Sequence, residues 1–209
     1  MTRIELLKSN KYYFITILFF TIFGGVLLLL IPRDAISLWI NRNYHLYLDK
    51  SILFFNEIGS LKFSLITIFF FWVLTDWKWA LKAAVCFIGV MLVTQLLKHL
   101  IFPGTLRPTL YFQEDVLRLI EGVKQLETES FPSGHTSAAF SIATFFALFK
   151  SGKNWNFVFA FFALIVAYGR IYMSQHFMTD IYVGMLVGVV VTTLIYCYYP
   201  KKLEPVYAG

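Results

Sequence analysis

Residues 12–31 read YYFITILFFTIFGGVLLLLI, an unbroken run of 20 residues without a charge. A helix of that length covers about 30 Å, the thickness of a bilayer's hydrocarbon core. The basic flank of Arg3, Lys8 and Lys11 has the look of a secretory leader. Its apolar core is too long for one, however, and no small-x-small cleavage site follows, so the run is read as a retained membrane span. The rest of the chain agrees. It is 58% hydrophobic and 19% aromatic with only 14% charged residues, and its mean hydropathy is +0.68. Ordinary soluble domains do not have this composition; integral membrane proteins do.

Working outward from that run, five more apolar segments are long enough to be read as spans, at about 61–75, 82–101, 133–149, 155–173 and 180–199. The expected fold is an all-α membrane protein in which six transmembrane helices form one bundle, a single domain covering residues 1–209. Cys86 and Cys197 sit inside apolar stretches and are too few for a disulfide or zinc framework, so both read as packing residues. In the loop between spans three and four, residues 113–127 alternate Val116, Leu119, Ile120, Val123 and Leu126 with Glu114, Asp115, Arg118, Glu121 and Lys124. That spacing predicts a short amphipathic helix lying on the membrane surface. The other long outer loop, residues 33–60 with Trp39, Tyr44 and Tyr47, reads as interfacial.

Six spans place both termini on one face. Nine of the 18 Lys and Arg residues fall on that face, Lys201 and Lys202 among them. The opposite face keeps six once Lys98, Arg107 and Arg170 are set aside. The positive-inside rule then puts the termini in the cytoplasm. Topology thus accounts for much of the net charge of +6, which calls for no nucleic-acid partner.

This topology gathers three polar stretches on the outer face. They are Lys98…Arg107-Pro108, Pro132-Ser133-Gly134-His135, and Arg170…His176…Asp180. An ionisable residue at the end of an apolar span is costly and by default marks a functional site. Pro132 suits a helix start, Gly134 lets a ligand approach the backbone, and free N–H groups at a helix N-terminus favour an anion. His176 and Asp180 are four apart, so at a helix start they share a face and can hydrogen-bond. Each feature also has a plain alternative. A lone lysine at a span's end snorkels to the interface, and a His–Asp pair can be purely structural. Gly184-x3-Gly188 in span six reads as a packing face within the bundle.

Lys98, Arg107-Pro108, the run from Phe131 through Pro132-Ser133-Gly134-His135, and Arg170-x5-His176-x3-Asp180 together resemble the three signature motifs of the type 2 phosphatidic acid phosphatase (PAP2) family. The first motif departs in spacing: eight residues separate Lys98 from Arg107 where the family usually has six. Gly169 stands where the family commonly has a small hydroxyl residue. The resemblance implies that Lys98, Arg107, Arg170, Ser133 and the Gly134 N–H bind phosphate. It further implies that His176 is the nucleophile, oriented by Asp180, and that His135 is the general acid and base. No metal and no cofactor is expected, since fixed cations take the place of Mg²⁺. The expected activity is hydrolysis of a membrane lipid phosphate on the periplasmic side of a bacterial cytoplasmic membrane, through a phosphohistidine. Candidate substrates are undecaprenyl pyrophosphate, phosphatidylglycerophosphate, phosphatidic acid and the phosphates of lipid A. Phosphotransfer between lipids, and a non-enzymatic anion-binding or transport protein, remain as alternatives. The sequence leaves the oligomeric state open.

Overall fold

The computed structural model describes residues 2–112, 116–150 and 152–200, and among these residues there are helices and loops but no strand. The expected inner-face residues Lys201 and Lys202 lie outside the described residues, as do Gln113, Glu114 and Asp115 of the expected amphipathic helix. A short α1 (Arg3–Ser9) precedes α2 (Lys11–Leu30), and α3 (Arg33–Arg42) and α4 (Leu46–Asn56) follow on one side. Then come α5 (Leu61–Leu74), α6 (Trp77–Leu96), α7 (Pro108–Tyr111), α8 (Gly134–Phe149), α9 (Phe157–Tyr172) and α10 (Met178–Tyr198).

A helix therefore occupies each of the six apolar segments. Three of them, α2, α6 with its extension to Ile101, and α10, are long and apolar enough to cross a membrane. Residues Leu46–Gly59 and Leu61–Leu74 would make a fourth span if their 59° bend is counted within one crossing. Helices α8 and α9 have 16 residues each, so each covers only about 24 Å. Two features support a bilayer as the solvent. Apolar side chains such as Leu18, Phe69 and Leu29 face outward, more than half exposed. Polar side chains such as Asn10, Thr67, Ser141 and Thr192 are buried. The chain is a membrane protein.

Local chemistry explains the helix starts. Ser60 accepts from Phe63 N–H at the head of α5, Asp76 from Lys78 N–H at α6, and Ser133 from Thr136 N–H at α8. Each satisfies a donor that the first turn leaves without a partner. Helix α8 forms the centre of the bundle, with 11 of its 16 residues buried. It packs between α6, α9 and α10. The closest approach is to α10: a methyl group on Gly188 would lie 2.5 Å from the Ser137 carbonyl oxygen, and one on Gly184 would lie 2.8 Å from that of Ser133. The small-residue pair thus seats one helix of the bundle on another. At the far end, Phe71, Trp79, Phe145 and Phe149 meet edge to face around α8.

Of the amphipathic helix expected over 113–127, the described residues 116–127 contain no α-helix. Their carbonyls serve tertiary partners instead. The Arg118 carbonyl accepts from Asn41, that of Lys124 from Gln175, that of Leu126 from Thr109, and that of Glu127 from the Arg107 N–H. Gly122 has φ +79°, outside the helical region. Leu117 and Ile120 are nonetheless buried. The apolar spacing therefore reflects burial of an irregular loop whose backbone groups are satisfied across the fold.

Candidate active site

All three polar stretches converge at one end of the bundle. Lys98 lies in a widened π turn, Leu97–Ile101, that ends α6. The Phe102 N–H closes it on the Leu97 carbonyl at 2.9 Å. A turn follows at Pro103-Gly104, with Gly104 at φ +69°, where a glycine has no steric penalty. These two devices absorb the unusual spacing. Lys98 Nζ donates to the Glu129 carbonyl at 2.6 Å, and Arg107 Nη2 donates to the same oxygen at 3.2 Å. The two cations are thus joined on one atom, and both are buried.

Arg107 is held from several sides. Its Nε donates to the Thr128 carbonyl at 2.8 Å and its Nη1 to the Gln175 carbonyl at 2.9 Å. Burial pushes its guanidinium below the ordinary arginine range. Arg170, near the end of α9, donates from Nη1 to Asn56 at 2.8 Å. Its Nε is buried without a hydrogen-bond partner among the described residues. The side-chain oxygen of Gln175 sits between the guanidinium groups, 3.5 Å from Arg107 Nη1 and 3.4 Å from Arg170 Nη2.

His176 occupies the tight link between α9 and α10, where its backbone N–H bonds the Arg170 carbonyl at 3.2 Å. The imidazole is 2% exposed. Its Nδ1 lies 3.4 Å from Asp180 Oδ2, and its Nε2 lies 3.4 Å from Arg107 Nη1. Burial, reinforced by Arg170 and Arg107 and opposed by the Asp180 hydrogen bond, pushes His176 down to about 3. At neutral pH the pair is therefore a neutral imidazole beside a carboxylate rather than an ion pair. Asp180 is fixed in turn by the Phe177 N–H at 2.9 Å and the Thr179 hydroxyl at 3.0 Å.

The second stretch joins the same cluster. The Ser133 N–H donates to the Asp180 carbonyl at 3.0 Å, and its hydroxyl caps α8 by accepting from Thr136. Nothing lies within 4 Å of where a Cβ on Gly134 would stand, so the backbone there is open to a ligand. His135 is partly buried, within electrostatic reach of Lys98, Arg107 and Arg170. It lines a cavity of about 380 Å³ between α5, α6 and α8, together with Gly59, Thr94, Gln95 and Ser137. Every residue expected from the sequence is in the cluster.

Three residues were missed. Ser130, Gln175 and Asn56 touch Asp180, both arginines and Arg170 respectively, yet none is charged or at a recognisable spacing. His99 is largely exposed and 3.5 Å from Glu129, and His45 precedes α4, its backbone bonded to the Tyr172 hydroxyl. Among the described residues, the three buried cations face the fully buried carboxylate of Asp180 and the partly buried one of Glu129, which leaves an excess of positive charge that a bound anion would neutralise. A neutral imidazole presents one nitrogen into that field.

The comparison with known proteins agrees with this geometry. The profile of the PAP2 superfamily matches residues 79–204, more than half of the chain. The chain belongs to the PAP2 superfamily. A lipid A 4'-phosphatase of Porphyromonas gingivalis (strain ATCC 33277) is 33% identical over 91 residues, 38% of this chain and 39% of that protein. The chain thus spans about two fifths of that relative's length. Two solved structures share the fold. Aquifex aeolicus LpxE superposes with a TM-score of 0.66 at 24% identity, covering 77% of this chain and 92% of that one. The first transmembrane PAP2 type phosphatidylglycerolphosphate phosphatase from Bacillus subtilis gives 0.64 at 22% identity, covering 90% and 94%.

Proposed function

We propose that this PAP2 superfamily member hydrolyses a phosphate from a membrane lipid through a phosphohistidine on His176. The carrying observation is the cluster of Lys98, Arg107 and Arg170 around a neutral His176, whose Nε2 faces the cations while Nδ1 faces Asp180. Phosphate oxygens would lie among the three cations and the Gly134 N–H, with Ser133 holding the turn. Gln175 already bridges the arginines with an oxygen, at contacts long enough to yield to a charged one.

The lone pair of His176 Nε2 attacks phosphorus as the bond to the lipid oxygen breaks, and His135 gives its proton to that leaving oxygen. The hydrogen on Nδ1 stays there, hydrogen-bonded to the Asp180 carboxylate, which stabilises the charge developing on the ring. Water then attacks phosphorus, passes a proton to His135, and displaces His176 as the P–N bond breaks. The fixed cations supply the charge stabilisation that Mg²⁺ supplies in other phosphoryl transfers. In this proposal residues 1–209 form one domain with six crossings, cytoplasmic termini and a periplasmic site. A lipid tail would reach His135 from the bilayer by way of the α5–α6–α8 cavity. The lipid A 4'-phosphatase similarity favours a lipid A type phosphate, with phosphatidylglycerophosphate, phosphatidic acid and undecaprenyl pyrophosphate as the other members of a test panel.

Purified protein in detergent is expected to release inorganic phosphate from at least one lipid of that panel. His176→Ala should lower turnover by more than ~10³-fold. Lys98→Ala should cost about 10²–10³-fold, the usual loss of one electrostatic donor to a transition state. A His176→Ala protein within tenfold of wild type would refute the mechanism.

A further inference from the structure

Ser130 stands two residues ahead of the Pro132-Ser133-Gly134-His135 turn and is 1% exposed. Its backbone N–H donates to the Thr105 carbonyl at 3.1 Å, and the next N–H, of Phe131, donates to the Thr105 hydroxyl at 2.9 Å. The serine is therefore anchored to the loop between Lys98 and Arg107. Its own hydroxyl reaches the other way. It donates to Asp180 Oδ2 at 2.5 Å and lies 3.4 Å from His176 Nδ1. Asp180 Oδ2 lies at that same 3.4 Å from Nδ1.

A serine hydroxyl carries one proton and can accept through its lone pairs. At 2.5 Å from a carboxylate oxygen that proton is committed to Asp180, since a carboxylate can only accept. Facing His176, Ser130 is then an acceptor, as Asp180 is. Nδ1 meets two acceptors and no donor, so the ring's hydrogen belongs on Nδ1. On the opposite side Nε2 meets Arg107 Nη1, which is a donor only. The two sides agree on a single tautomer, with the lone pair on Nε2.

We propose that Ser130 is a positioning residue that fixes this tautomer and links the Thr105 loop to the nucleophile, acting through His176 and Asp180 without touching the substrate. The proposal rests on the reading of His176 as nucleophile for its consequence, but its structural content can be measured without any substrate. With the hydroxyl present, Nδ1–H has two acceptors at long range in place of one. Without it, the hydrogen is held by Asp180 alone across 3.4 Å, and the Nε2–H form gains population.

The test is nitrogen NMR on protein labelled with ¹⁵N-histidine, in detergent and without substrate, with the His176 signals assigned by their loss in His176→Asn. Wild type is expected to show one tautomer, Nδ1 protonated and Nε2 bare. Ser130→Ala is expected to show a mixture, and its kcat should fall roughly 10- to 100-fold with KM changed less than about threefold, the scale of removing a partner that orients a functional histidine. Ser130→Thr, which keeps the hydroxyl, should recover the single tautomer and most of kcat. A wild-type His176 protonated at Nε2 overturns the proposal whether or not any variant folds. So does a Ser130→Ala protein that keeps the single Nδ1–H tautomer with kcat within threefold of wild type. Failure of the phosphatase reading looks different, because no lipid phosphate is then turned over whatever the tautomer.

Discussion

His176 shows how much one buried side chain can reveal. Its ring is held neutral down to about 3, mainly by burial, whereas an unfolded chain protonates histidine at about 6.5. A base with a depressed folded pKa contributes stability that is fully present above the unfolded value and is lost as pH falls through the folded one. Between about pH 6.5 and 3 the unfolded state holds one more proton at this residue, a slope near 1.4 kcal/mol per pH unit. Thermal melting in detergent should therefore fall less steeply below pH 6.5 in His176→Asn, which keeps a donor for Asp180 but cannot titrate. Parallel curves for the two proteins would show that His176 is protonated in the fold. The placement of Lys98 belongs to the same scale. Its amine and Arg107 share the Glu129 carbonyl because the π turn and Gly104 bring them together.

At the scale of elements, the α8–α10 contact holds the site together. Ser133 at the head of α8 donates to the Asp180 carbonyl in the first turn of α10, and Gly184 and Gly188 let the two backbones run close below that link. A methyl at Gly188 would meet the Ser137 carbonyl at 2.5 Å and Phe140 Cβ at 2.8 Å, neither of which can yield without moving α8. Gly188→Ala should cost about 1–3 kcal/mol, as overpacking does, and lower Tm by roughly 3–10 °C. Gly134→Ala makes the contrasting control, with open space around its Cβ position. Its Tm should stay within about 2 °C of wild type while turnover falls, because the added methyl stands where a ligand would approach. Equal melting temperatures for Gly188→Ala and wild type would mean that the helices are not seated as described.

At the scale of the molecule, the proposed orientation is open to direct test. Tyr47, in α4, is exposed on the side that carries the candidate site, and Lys153 is exposed in the link between α8 and α9 at the other end. In a background with Cys86→Ser and Cys197→Ser, a membrane-impermeant maleimide added to intact spheroplasts should label Tyr47→Cys and spare Lys153→Cys. The reverse pattern would place the site on the cytoplasmic side. The test matters for function because a periplasmic site meets only lipids of the outer leaflet.

Membrane character, the positions of the six helices, and the seven polar residues and Gly134 of the candidate site were legible in the sequence. Hydropathy reports the solvent around each segment, and charges at span ends stand out because they are costly there. Local pattern could not reach the rest. Residues 113–127 carry helical periodicity, yet the carbonyls of Arg118, Lys124, Leu126 and Glu127 are taken by Asn41, Gln175, Thr109 and Arg107 from distant parts of the chain, and no local rule sees those partners. Ser130, Gln175 and Asn56 are uncharged residues of ordinary spacing, and only the convergence of the α4, α6, α9 and α10 ends around them brings each against Asp180 or the arginines. The residue types needed for the chemistry were set by the sequence, because charge and hydropathy act locally. Which nitrogen of His176 faces the cations, and what holds it there, was decided by the tertiary structure, because hydrogen bonds between residues 46 apart exist only once the chain is folded.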